Sequence, residues 1–286
     1  MKIFFLRYPE GKFKAVTLSY DDGIRDDLKL VEIMNKYSIK GTFNINSAYI
    51  SSSEKGGHLT EEEIKNNILA NGHEIAIHGA THKAAGLVTS KALIQDVLTC
   101  RTDLEKRFGI LVRGSAYADT GIRNLRPDIT YDSIKEVLKD LGVVYARTLG
   151  GDNNAFKLPN DWYAWMPTVH NANPNALDYA KSFTELEIPG YNAARYPRLF
   201  YLWGHSFEFG RTDKWDYFEQ LCETLGNKED IWYATNIEIY EYVNAYNSLV
   251  FSADDTVVYN PTLHTIWFET GLKPYCIKPG ETLVIE

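Results

Sequence analysis

The strongest constraint on the fold is an alternation: short β-rich apolar runs, separated by helical patterns, recur along most of the 286-residue chain. Runs over 15–19, 41–45, 74–77, 110–113, 143–146, 163–167, 199–203 and 231–234 read as strands. Between the first two, Leu30, Ile33, Met34 and Tyr37 recur at the spacing of one helix face. Thr60 ahead of Glu61, Glu62 and Glu63 opens a second helix with a capping box, and Asn71-Gly72 stops it. Leu93, Ile94, Val97, Leu98, Leu104 and Phe108 mark a third, longer helix. Strands alternating with helices predict βα units around a parallel sheet or barrel.

The texture changes near residue 248, where short alternating strands are broken by Asp-Asp, Asn-Pro, Thr-Gly and Pro-Gly without another helical stripe. The expected organisation is a barrel over 1–247 and a small antiparallel β appendage over 248–286. With 30 Lys and Arg against 38 Asp and Glu, the net charge is −8, which argues against nucleic-acid binding and for a neutral or weakly charged partner. No apolar stretch approaches the length of a membrane span. The N-terminus lacks a cleavable signal pattern, and Cys100, Cys222 and Cys276 form no disulfide framework. The expected location is cytoplasmic, although a secreted protein whose leader had been removed would read the same. The oligomeric state is left open.

Chemistry collects at the ends of predicted strands. Asp21 and Asp22 follow the run 15–19, and two adjacent carboxylates call for a positive partner. His78 and His82 follow 74–77 at a spacing that brings two imidazoles to one point. In a βα barrel or open α/β sheet the C-terminal strand ends share one mouth, so one carboxylate and two imidazoles there make a three-donor metal site. Arg113 and His205 are placed at two further strand ends, supplying a base-orienting cation and a general acid for metal-assisted hydrolysis. His73 reads as structural, His170 lies in a polar loop that can line the cleft, and His58 and His264 look incidental. Glu208, three residues after His205, reads equally well as an orienting carboxylate or as surface charge.

These segments resemble the polysaccharide deacetylase family, the NodB-homology domains of carbohydrate esterase family 4. Its Thr-Phe-Asp-Asp-Gly motif is similar to Ser19-Tyr20-Asp21-Asp22-Gly23, and its His-Ser/Thr-x-x-His motif to His78 through His82. Its arginine motif resembles Arg113 onward, its Leu-x-x-His motif resembles Leu202 to His205, and the matches cover roughly 15–235 in the family's order. The resemblance implies a distorted (β/α) barrel of seven or eight strands and removal of acetyl groups from N- or O-acetylated sugars. It implies a divalent metal on Asp22, His78 and His82, zinc first, with cobalt, nickel, iron or manganese open to the same donors. It makes Asp21 the general base, Arg113 its partner and His205 the acid, with the Tyr117 backbone N–H as oxyanion donor. Asp161 in "DWYAW" stands for the Asp-Trp pair that tunes the histidine, Trp165 is the first choice for stacking a sugar, and Arg147 competes with Arg113. The chain departs from the family in having Ile24 after the first motif and Arg113-Gly114-Ser115-Ala116-Tyr117 in place of a proline-rich arginine motif.

Two other readings share these residues. One is hydrolysis of a different C–N bond, in a cyclic amide or ureide, on the same fold. The other is a sugar-binding protein with a vestigial metal site, in which the appendage and aromatic cleft carry the function. The appendage also invites an oligomerisation role.

Overall fold

The computed structural model describes residues 2–190 and 195–285. Strands β1 (Phe5–Arg7), β2 (Lys14–Asp21), β3 (Gly41–Ile45), β4 (Glu74–Ile77), β5 (Gly114–Ala116), β6 (Tyr145–Arg147), β7 (Val169–His170), β8 (Arg198–Gly204) and β9 (Ile231–Tyr233) precede a C-terminal β region. Interleaved with them are helices α1 (Asp27–Lys36), α2 (Glu61–Glu63), α3 (Ser90–Phe108), α4 (Tyr131–Asp140), α5 (Ala176–Thr184), α6 (Phe207–Thr212), α7 (Trp215–Leu225) and α8 (Asn236–Asn247).

The main sheet runs β6-β5-β4-β3-β2-β8-β7, and every pairing in it is parallel. β9 also pairs with β2, against Lys14–Val16, while β3 takes Leu18–Asp21. Residues 165–168 bridge β6 to β8: Trp165 N–H donates to Ala146 O (3.0 Å), Thr148 N–H to Trp165 O (2.9 Å) and Thr168 N–H to Tyr201 O (2.9 Å). The result is the expected distorted (β/α) barrel, whose strands all end on one face. All eight residues of β2 are buried, as a central parallel strand requires.

The capping box at Thr60 is present: Thr60 Oγ1 accepts from Glu63 N–H at 3.1 Å, and Glu63 Oε2 accepts from Thr60 N–H at 2.8 Å. This helix passes through a π-helical stretch at Ile64–Ile68 and stops at Gly72, whose φ is +74°. The expected strand over 110–113 is displaced. α3 runs to Phe108, Gly109 turns the chain with φ +66°, and the sheet is first entered at Gly114. A Cβ at Gly114 would lie 2.1 Å from Tyr145 Oη, so only glycine fits where β5 meets β6.

Beyond α8, β10 (Val250–Phe251), β11 (Val257–Tyr259) and β14 (Thr282–Val284) form one antiparallel sheet, and β12 (Ile266–Thr270) and β13 (Lys273–Ile277) join a second. That second sheet takes β1 from the start of the chain as its third strand. Glu269 on β12 pairs with Arg7 of β1 (2.9 Å) and with Arg195 (2.5 Å), all three side chains being nearly buried. Val258, Ile266, Phe268 and Ile277 continue the core formed by α8 and the barrel residues Tyr145, Leu199 and Tyr201.

Candidate active site

Asp21 is the last residue of β2, and the next two residues leave extended geometry, with φ of +79° at Asp22 and +64° at Gly23. Successive side chains on a strand point to opposite faces. The left-handed turn beginning at Asp22 itself brings the two carboxylates into one mouth. Asp is among the residue types that tolerate this conformation, and the strain it carries is common at functional sites.

Asp22 faces the two histidines. His82 Nε2 lies 3.4 Å and His78 Nε2 3.6 Å from Asp22 Oδ1, and donor atoms of all three lie within 4.8 Å of one another. His78 is buried, and its Nδ1–H donates to Ala116 O at 3.0 Å, which leaves the Nε2 lone pair toward Asp22. Burial lowers the His78 pKa despite the neighbouring Asp21 and Asp22, which favours the neutral, ligating form. The loop that returns from β4 is shaped by Asp96 of α3. Its Oδ1 accepts from Thr81 N–H (3.0 Å) and Thr81 Oγ1–H (2.7 Å), and its carbonyl accepts from Ala80 N–H. One carboxylate and two imidazoles, that of His78 with its tautomer fixed, suit a first-row divalent ion.

Asp21 has different company. Both its oxygens accept from Arg147 Nη2, at 2.7 and 2.5 Å, and Oδ1 also accepts from Asn44 Nδ2 at 2.8 Å. Asp21 is 1% and Arg147 0% exposed. Burial pushes the Asp21 carboxyl up, but Arg147, then His78 and His205, overcome it and hold the pKa below the usual carboxylate value. The Arg147 guanidinium is backed by the Trp203 ring at 4.4 Å. Asp21 Oδ2 looks between His78 Nε2 and His205 Nε2, each 3.9 Å away. His205 Nδ1 pairs with Glu208 at 3.1 Å, and that hydrogen bond followed by Asp21 raises its pKa against the effect of burial.

The structure brings Asp21, Asp22, His78, His82, His205 and Arg147 together. It does not bring Arg113. Because β5 begins one residue after Arg113, that side chain lies at the other end of the strand and forms an ion pair with Glu241 of α8. Arg147, at the C-terminal end of β6, makes the pairing with Asp21 that was expected of Arg113. The Tyr117 N–H is committed to Arg147 O at 3.0 Å, so the expected oxyanion donor is already engaged. Trp165 is 1% exposed and packs on Tyr145, Trp162 and Tyr201 in the core, where it offers no face to a sugar. Asp161 caps the turn at Trp162–Ala164 and binds Tyr131 and Lys135, while the carboxylate on His205 is Glu208. His73 is structural, accepting from Gly41 N–H and pairing with Asn35.

Sequence reading missed Asn44 and Asn46. Asn44 also donates to Ser19 Oγ (2.8 Å) and thereby steadies the end of β2, and Asn46 Nδ2 donates to the carbonyls of His78 (2.6 Å) and Gly79 (3.1 Å). Two asparagines in the otherwise apolar run "TFNIN" were the available signal, since buried amides are retained where they have partners.

Fold and site together define a parallel α/β barrel whose mouth separates the donor cluster of Asp22, His78 and His82 from an arginine-bound carboxylate. Residues 8–146 match the family model described as polysaccharide deacetylase. This stretch, just under half of the chain, is thus similar to that family, in keeping with the motifs quoted above. A Mycobacterium smegmatis protein assigned to the polysaccharide deacetylases is similar in fold, at 18% identity over 86% of this chain and 96% of that one, TM-score 0.54. So is the Xyl-CE4 domain of a multidomain xylanase from the hindgut metagenome of Trinervitermes trinervoides, at 14% identity, 81% and 92% coverage and TM-score 0.52. The chain spans 55% of the length of the Streptococcus pyogenes deacetylase PplD, with 46% of its own length, 16% identity and TM-score 0.41. No curated protein matches it by sequence. Among the described residues, no helix is long and apolar enough to cross a membrane.

Proposed function

We propose that the chain is a metal-dependent hydrolase that removes acetyl groups from N- or O-acetylated sugars. The observation that carries this reading is the unequal placement of the two adjacent acids. Asp22 faces two imidazoles, whereas Asp21 is held by Arg147 with one oxygen directed between His78 and His205. Asp22, His78 and His82 would hold a divalent ion, zinc first among those that suit two imidazoles and a carboxylate. When bound, such an ion supplies polarisation of the acyl oxygen and acidification of a water.

The protein's own groups do the rest. Asp21 is kept ionised by Arg147 and takes the proton of the attacking water. Arg147 bonds both oxygens and Asn44 adds a second donor to Oδ1, so Oδ2, the oxygen that faces His78 and His205, is the one with fewer donors for proton uptake. His205 faces the same space through Nε2, and its raised pKa suits it to give a proton to the departing nitrogen or oxygen. The similarity to that family supports an acetylated carbohydrate as the substrate class.

The test is acetate release from acetylated chitin, peptidoglycan and xylan fragments by protein stripped with a chelator and reloaded with zinc, cobalt or manganese. Activity that returns with metal supports the reading. Ring-opened product from a cyclic amide or ureide without acetate release would replace it, and tight sugar binding without turnover in the reloaded protein would refute catalysis.

A further inference from the structure

Behind His205, the end of β7 and the first turn of α6 hold two side chains that the proposed chemistry leaves unused, His170 and Glu208. Glu208 Oε1 lies 3.1 Å from His205 Nδ1 and 3.4 Å from His170 Nε2. The three residues offer donor atoms within 4.8 Å of one another, a spacing that also suits a second cation. Local hydrogen bonding decides between shared protons and a metal. The Ala172 N–H points at His170 Nδ1, 3.1 Å away, so Nδ1 presents a lone pair and the neutral ring carries its proton on Nε2. That Nε2–H meets Glu208, where a metal would require a bare nitrogen.

We infer that His170 and Glu208 are positioning residues that clamp the acid His205 by its Nδ1–H and leave its Nε2 to protonate the leaving group. This rests on the role given to His205 above. Glu208 thereby takes the place expected of Asp161. His205 is faced by Asp21 from β2, by Glu208 from α6, and by the rings of His170, Trp203 and Phe207. Burial raises the Glu208 carboxyl, but the His170 ring 3.4 Å away and then the His205 hydrogen bond hold it at about 2, so it is an anion at neutral pH. In the step that the clamp serves, the acyl C–N or C–O bond breaks, its electron pair goes to the leaving atom, and the His205 Nε2 proton joins that atom. The neutral imidazole remains bound to Glu208 through Nδ1–H.

Two measurements on the full, metal-loaded chain test the clamp. The first compares kcat and KM for Glu208→Gln and His170→Asn on an N-acetylglucosamine oligomer, whose amine needs a proton to depart, and on 4-nitrophenyl acetate, whose phenolate does not. A positioned acid contributes about 10²–10⁴-fold. Glu208→Gln is expected to lose at least about 10-fold in kcat on the amide, with KM little changed and the aryl ester nearly unaffected. His170→Asn is expected to lose less in the same direction. Equal losses on both substrates, or none on either, overturn the inference.

The second measurement, independent of turnover, is histidine ¹⁵N NMR. His170 should be the Nε2–H tautomer, and His205 should keep a protonated Nδ1 that becomes exchange-labile in Glu208→Gln. A His170 protonated at Nδ1, or a second equivalent of bound zinc that disappears in His170→Asn, contradicts the clamp. Failure of the wild-type chain to release acetate from any substrate would instead refute the proposed function, while the tautomers still decide the clamp.

Discussion

Replacing Arg147 with methionine removes the only cation in hydrogen-bond contact with Asp21 among the described residues while keeping most of the buried volume. Asp21 is then a carboxylate at 1% exposure whose remaining hydrogen-bond partner is the Asn44 amide. Breaking a buried pair by removing one partner costs about 3–5 kcal/mol, because the survivor's charge is left uncompensated. For a chain of this size that corresponds to a fall in Tm of about 5–8 °C near neutral pH. The sign with pH follows from the direction of the shift. In the wild type the folded pKa of Asp21 is depressed, so the pair contributes stability above the unfolded pKa and loses it as pH falls through the folded value. In Arg147→Met, burial is unopposed by the arginine and the folded pKa rises above the unfolded one, so the variant recovers relative stability as acidification neutralises the carboxyl. Calorimetry on chelator-treated protein from pH 8 to pH 4 should show the gap between variant and wild type narrowing steadily. The acidic limb of kcat/KM in metal-loaded protein should move to higher pH, because that limb reports the base. A destabilisation that is constant with pH, together with an unmoved acidic limb, would refute the assignment of Arg147 as the group that keeps Asp21 ionised.

Other expected outcomes are more local. Asp96→Ala frees the turn carrying Thr81 and His82 and should weaken metal binding about 10–100-fold, read by chelator competition, with little effect on folding of the barrel. Trp165→Ala should cost about 3–5 kcal/mol in denaturant unfolding and leave KM for sugar substrates unchanged, as expected of a core residue. Arg113→Ala breaks a half-exposed ion pair with Glu241 and should change stability by less than about 1 kcal/mol and kcat not at all.

The parts of the site that were legible in the sequence are those fixed by strand ends. Asp21 closes β2, while Asp22, His78, His82 and His205 follow β2, β4 and β8, and parallel pairing alone carries those ends to one face. What was not legible depends on partners chosen across the chain. Arg147 is 126 residues from Asp21, and no local pattern distinguishes it from Arg113. The distinction is one of register: Leu111-Val112 has strand composition, but the chain is still climbing out of α3 there and joins the sheet only at Gly114. Trp165 resembled a cleft aromatic for a similar reason, since its segment closes the barrel between β6 and β8 and its ring turns inward onto Tyr145 and Tyr201. The appendage was legible as antiparallel strands, but the use of β1 as a partner for β12 follows from a pairing between the two ends of the chain.

The proposed chemistry depends on a division of labour between adjacent carboxylates, and one paired measurement addresses it: metal content and acetate release for Asp21→Asn and Asp22→Asn under the same loading conditions. Asp21→Asn should retain the metal content of the wild type and lose about 10²–10⁴-fold in kcat, while Asp22→Asn should lose the metal itself. Full activity in metal-loaded Asp21→Asn, or loss of metal from both variants alike, would contradict the assignment of Asp21 as the base.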